Sequence, residues 1–209
     1  EETIPVILNE QVIAVISRHR NAELMRQPSR LELNYREVAH NVFRMVAEGT
    51  FPYTEHSELF DPAVRVGDGL IRLDINGVIT YASPNAKSAF NRMGLAGELE
   101  GNNLGEVARK VSLVKADAHE EAIEVSLSGK SLRRVEIENL GGTIDLMALP
   151  LLAAADRIGA IVLLQNVTEL RRRERELVTK DATIREIHHR VKNNLQTVSA
   201  LLRLQSRHI

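Results

Sequence analysis

Leu170, Leu177, Ile184, Val191 and Val198 recur at seven-residue spacing near the C-terminus. No other feature restricts the fold so tightly. A strand cannot use that period. A helix that keeps it carries one apolar seam, and the seam must be buried against another helix. With these residues at heptad position a, Ile187 and Leu201 fall at d, and Leu195 and Leu202 at e. The stripe is narrow before His188 and wide after it. A narrow stripe suits a two-stranded coil and a wide one a four-helix bundle. The spacing predicts one helix from near Val167 to the end of the chain. It also predicts pairing with a second copy, because an unpaired seam is exposed apolar surface.

Within that helix, His188 falls at e, on the flank of the seam, and His189 at f, the position farthest from a partner helix. Arg190, Lys192 and Asn193 lie within about one turn of His189. Imidazole is nucleophilic when neutral, and its free pKa of about 6.5 leaves much of it neutral near pH 7. An outward imidazole among polar donors can therefore accept a phosphoryl group from a docking domain. The bland reading is a solvated histidine on a charged helix. Zinc is disfavoured, because chelation on a helix wants i,i+3 or i,i+4 partners and adjacent residues do not face one another.

The run Ile187-His188-His189-Arg190-Val191-Lys192-Asn193-Asn194-Leu195-Gln196, followed by Ser199-Ala200-Leu201-Leu202-Arg203-Leu204-Gln205, resembles the phosphoacceptor helix of sensor histidine kinases of the HisKA type-2 group. The resemblance implies that His189 is the residue phosphorylated. Other kinases place an acidic residue directly after their histidine, where this chain has Arg190. Glu186, one turn back, is then either a substitute base or simply the i,i+4 partner of Arg190, the reading preferred here.

Composition narrows the alternatives. Balanced charge, formally -1, gives no overall basic excess for nucleic acid, and 44% hydrophobic residues are ordinary for a globular chain. The basic run Arg171-Arg172-Arg173 fits a salt-laced coil better than a nucleic-acid reader, since Glu169/Arg173, Glu176/Lys180 and Asp181/Arg185 all sit at i,i+4 with the acid first. The absence of cysteine excludes disulfides, thiolate metal sites and cysteine-based flavin photochemistry. The longest apolar stretches, 146–155 and 158–164, fall short of the ~20 residues that span a membrane. No secretory signal is present, so a cytoplasmic protein without membrane insertion is expected. Without a starting Met, the chain is expected to be part of something longer.

From the N-terminus, residues 5–18 read as a hairpin with Asn9-Glu10-Gln11 as its turn, and as the tail of an upstream domain rather than an added edge of a later sheet. Ser29-Arg30-Leu31-Glu32 fits a capping box opening a helix whose apolar face is Leu31, Tyr35, Val38, Val42 and Met45, with Gly49 able to end it. This helix either docks against its twin in a dimer or packs on its own domain. After a Pro-containing linker, residues 70–73 and 78–81 form two strands around the Asn76-Gly77 turn. A short helix follows from Ser83-Pro84 through Phe90. Residues 106–115 and 118–126 read as helix or loop, and three strands follow at 132–138, 143–150 and 158–165.

Two strands, short helices and three strands leading into a long helix is the order of a PAS domain, a family this region resembles over about residues 64–168. The family usually closes on Asp-Ile-Thr or Asp-Val-Thr. This chain has Asn166-Val167-Thr168-Glu169, which can still cap a helix but carries no charge at the Asp position. The PAS ligand is unknown. His119 is a lone candidate for haem, with a surface or core histidine the plainer reading. Few aromatic residues are available to sandwich a flat cofactor.

The fold class expected is α+β: a PAS domain, an antiparallel sheet with short helices, flanked by a connector helix and a long C-terminal coiled-coil helix. The domain reading is a GAF-like hairpin at 1–20, connector helix 21–50, linker 51–63, PAS domain 64–168, and coil plus first phosphotransfer helix 169–209. Val12-Ile13-Ala14-Val15 with Arg18-His19, residues 45–52, Tyr81 to Ala86 and Lys180 to Ile184 extend the resemblance to the PdtaS type of cytosolic sensor histidine kinase in actinobacteria. That resemblance implies autophosphorylation with ATP and Mg²⁺ bound by a further domain, transfer to an aspartate of a response regulator, and a homodimer. No Asp-x-Gly-x-Gly element or P-loop occurs here, so the chain alone is expected to be inactive. Lys192 and Asn193 are candidates for orienting either partner. The alternatives are a PAS–coil dimerisation module without phosphotransfer, or a regulator of cyclic-nucleotide enzymes, which leaves the histidine run unexplained.

Overall fold

The computed structural model describes residues 2–8, 11–18, 27–51, 67–112, 130–154 and 156–205. The expected helix at 118–126 and His119 lie outside them, as do most of the 51–63 linker and the turn at Asn9-Glu10. The chain divides into two compact units, Glu1–Val167 and Thr168–Ile209.

In the first unit, β1 (Glu2–Leu8) and β2 (Gln11–Arg18) pair antiparallel as a separate two-stranded sheet, with Ile4 opposite Ile16. The hairpin does not join the larger sheet. Helix α1 (Arg30–Ala47) begins with the predicted capping box: the Ser29 hydroxyl accepts from the Glu32 N–H at 3.2 Å, and the Glu32 carboxylate accepts from the Ser29 N–H at 2.8 Å. Gly49 follows at φ +68°, the left-handed conformation that ends a helix.

Strands β3 (Leu70–Leu73), β4 (Ile79–Ala82), β5 (Arg133–Asn139), β6 (Gly142–Ala153) and β7 (Asp156–Asn166) form one antiparallel sheet in the order β4-β3-β7-β6-β5. Between β4 and β5 come α2 (Pro84–Arg92), capped by Ser83, and α3 (Leu104–Val111), capped by Asn103. This is the element order on which the PAS resemblance rests. The turn before β4 is built by Asp74, whose Oδ1 accepts from the N–H groups of Asn76 and Val78 at 2.8 and 2.9 Å, with Gly77 at φ +81°.

Both faces of the sheet are buried. Ile144, Leu146 and Ala148 pack with Phe90, Leu104 and Ala108 from α2 and α3. The alternate residues Met147, Leu149 and Leu151 pack with Val38 and Met45 of α1. Two buried faces explain the near-continuous apolar run in β6, where period-two alternation would otherwise appear. They also explain why β6 runs three residues past its predicted end. Pro150 is tolerated because the β5 ladder ends at Arg133 opposite Ala148. At Gly159, φ +151°, a Cβ would stand 2.4 Å from the Leu73 carbonyl oxygen, so the β7–β3 crossing requires glycine there.

Helix α1 therefore packs on the sheet of its own unit, one of the two placements open from sequence. Its docking is fixed at the polar edge by Arg72 of β3, which reaches both carboxylate oxygens of Glu37 at 2.6 and 2.7 Å and the Asn34 side-chain oxygen at 2.9 Å. The guanidinium of Arg30 lies 5.6 Å from the Tyr81 ring centroid. The second unit is helix α4, Thr168–Gln205.

Candidate functional site

No Gly or Pro occurs between Thr168 and Gln205, which lets α4 run unbroken for 38 residues. It starts one residue later than predicted, with Asn166 still the last residue of β7. Two of its threonines back-bond to the preceding turn: Thr179 donates to the Arg175 carbonyl at 2.8 Å and Thr183 to the Thr179 carbonyl at 2.9 Å.

The seam is open in the single chain. Leu170, Leu177, Ile184, Ile187 and Val191 are 48–61% exposed. His189, two residues beyond Ile187, projects about 200° from it around the helix axis. His188, His189, Arg190, Lys192 and Asn193 are all exposed.

Glu186 is engaged by Arg190, whose Nε donates to Oε1 at 2.7 Å. Elsewhere the ion pairs differ from those the i,i+4 pattern suggests. Arg171 pairs with Glu174 at 2.6 Å, and Arg172 takes Glu176 at 3.2 Å, so the base precedes the acid and Lys180 loses its expected partner. In both pairs the arginine stands N-terminal to its acid, the order that the helix dipole favours less.

Arg185, His188, His189 and Lys192 line one shallow, open concavity on α4. Their spacing, i, i+3, i+4 and i+7, puts them along one helix face. Sequence reading assigned Arg185 to Asp181 and missed its place here. The available signal was its position four residues before His189. What this arrangement can do is surround an exposed nucleophilic ring with positive charge. Among the described residues no cluster of three His, Asp or Glu side chains is placed to hold a metal, and no helix is long and apolar enough to cross a membrane.

Comparison with known proteins gives three kinds of match. A histidine kinase family model, HisKA_2, matches residues 186–209, which include both histidines, and a model described as the GAF domain of histidine kinase PdtaS matches residues 1–39. Sensor histidine kinase PdtaS of Mycobacterium tuberculosis is 49% identical over 210 residues, covering 99% of this chain and 42% of that protein. PdtaS of Mycolicibacterium smegmatis is 48% identical, with the same coverage of 99% and 42%. The chain thus spans about two fifths of the length of these curated relatives. A solved structure described as the sensor region of a sensor histidine kinase is 40% identical at TM-score 0.69, covering 81% of this chain and 64% of that one.

Proposed function

The chain belongs to the PdtaS-type sensor histidine kinases, and from that premise we propose that it is the sensory and phosphoacceptor part of a two-component kinase, with His189 the residue phosphorylated. The observation that carries this reading is the placement of His189. It is exposed on α4, turned about 200° from Ile187 of the apolar seam, and lies within the segment matched by the histidine kinase model.

The reaction follows from that placement. A ring nitrogen of His189 attacks the γ-phosphorus of ATP, the bond from that phosphorus to its bridging oxygen breaks, and ADP leaves. The imidazolium formed loses its proton to solvent. ATP with Mg²⁺ is supplied by a separate ATP-binding domain. The phosphoryl group then moves to an aspartate carboxylate of a response regulator: the ring regains a proton from solvent, the carboxylate oxygen attacks phosphorus, the N–P bond breaks, and His189 departs as neutral imidazole. The regulator must approach the same outward face, which a ring at heptad position f keeps open.

The seam pairs with a second copy as a coiled coil from Thr168 onward, widening into a bundle where Leu195 joins the stripe. Signals in the sensory unit bias this helix pair between two arrangements, which changes access to His189. Action in the cytoplasm completes the proposal.

The test supplies the ATP-binding domain in trans with radiolabelled ATP. Label should appear on this chain, survive alkali, be lost in acid, and vanish in His189→Ala. Undiminished label in that variant would reject the assignment. A chain that dimerises yet takes no label would instead be a sensory dimerisation module.

A further inference from the structure

The concavity on α4 holds two cations whose charge is not spent within the helix. Arg190 is neutralised by Glu186, and Arg171 and Arg172 are paired with Glu174 and Glu176. Arg185 and Lys192 have no ion-pair partner among the described residues, and no acidic side chain lines the concavity they share with the two histidines. Arg185 stands four residues before His189 and Lys192 three after it, so each is about one turn from the ring on the same face. Both fall at heptad position b, away from the seam, and stay open when it is covered.

We infer that Arg185 and Lys192 bind the oxygens of the phosphoryl group delivered to His189. The planar fork of Arg185 matches two oxygens of a phosphoryl group, and Lys192 offers a point charge to another. A phosphoryl group in transfer carries its charge on those three oxygens. The inference rests on the phosphoacceptor reading of His189 but concerns different atoms. The cations also sit at i−3 and i+4 from His188, so they do not choose between the two rings. The seam does, by flanking His188 and leaving His189 outward.

Phosphoramidate tests this without an ATP-binding domain. A ring nitrogen attacks its phosphorus, the P–N bond breaks, ammonia leaves, and the ring's proton is released. The intact 209-residue chain is treated with phosphoramidate, and phosphate at each histidine is followed by mass spectrometry, with exposed His40 of α1 as the internal reference. Labelling at His188 plus His189, relative to His40, should fall about threefold to tenfold in Arg185→Gln and in Lys192→Gln. Arg185→Lys should recover part of the loss, and 1 M salt, at a Debye length of about 3 Å, should flatten the differences. Helicity by circular dichroism should not change, since both sites are exposed. Unchanged relative labelling in both Gln variants would overturn the inference. Failure of ATP labelling in trans, with the phosphoramidate effect intact, would instead reject the kinase reading and leave the oxyanion clamp standing.

Discussion

The carboxylate of Glu186 accepts a hydrogen bond from Nε of Arg190 at 2.7 Å, one turn along α4. Both side chains are mostly exposed, at 59% and 75%, so the pair contributes only a few tenths of a kcal/mol to the helix. Its significance is chemical. The acid that stands nearest in sequence to serve as a base for His189 is turned toward an arginine instead. Glu186→Gln should therefore leave phosphoryl labelling of His189 within about twofold of the parent, whereas loss of a true general base costs about 10²-fold or more. The rate of labelling in trans checks this.

The Arg72–Glu37 contact is a bidentate clamp between β3 and α1. Its guanidinium is 21% exposed and its carboxylate 57%, so Arg72→Ala should cost about 1 kcal/mol rather than the full value of a buried pair. Thermal melting reads the change.

The same contact sets a pH dependence. Hydrogen bonding from Arg72 holds the Glu37 carboxyl below its usual range, with burial opposing. A group lowered on folding stabilises the fold above its unfolded pKa, near 4.3, and loses that contribution as pH falls through the lower folded value. The Tm gap between parent and Glu37→Gln should hold at neutral pH and close on acidification below about pH 4. A constant gap across that window would contradict the cause assigned.

Arg134 of β5 reaches Asp145 of β6 at 2.7 Å, and the carboxylate is only 3% exposed. Removing the arginine strands a buried charge. Arg134→Met should destabilise by about 3 kcal/mol, and Arg134→Met with Asp145→Leu should recover most of it. Chemical denaturation of both variants measures the difference.

These contacts mark where sequence reading stops. The capping box at Ser29 and Glu32, the Asn76-Gly77 turn and the apolar face of α1 were legible because each is local, set by residues within a turn or two. Arg134 and Asp145 were not, since they meet only through a strand register that no local pattern gives. The placement of α1 was open because its apolar face fits either a twin or a sheet, and Arg72 that settles it lies 35 residues from Glu37. On α4 the face bearing His189 was readable from the heptads. That Asp181 and Arg185 stand at i,i+4 without pairing was not, because spacing permits an ion pair and does not require one.

The seam should hold the dimer. Leu177→Asp places a charge at heptad position a and should shift the chain toward monomer at micromolar concentration, with light scattering as the readout.

Cysteine cross-linking tests the geometry beneath the whole account. The native chain contains no cysteine, so single substitutions report alone. In a dimer paired along the proposed seam, Ile184→Cys should oxidise readily to a disulfide between copies, because facing seam positions approach the 4.4–6.8 Å Cα separation typical of such bonds. His189→Cys should not, its side chain lying across the width of both helices from its twin. Efficient disulfide formation at 189, with none at 184, would place the imidazole inside the interface and contradict the outward phosphoryl acceptor proposed for it.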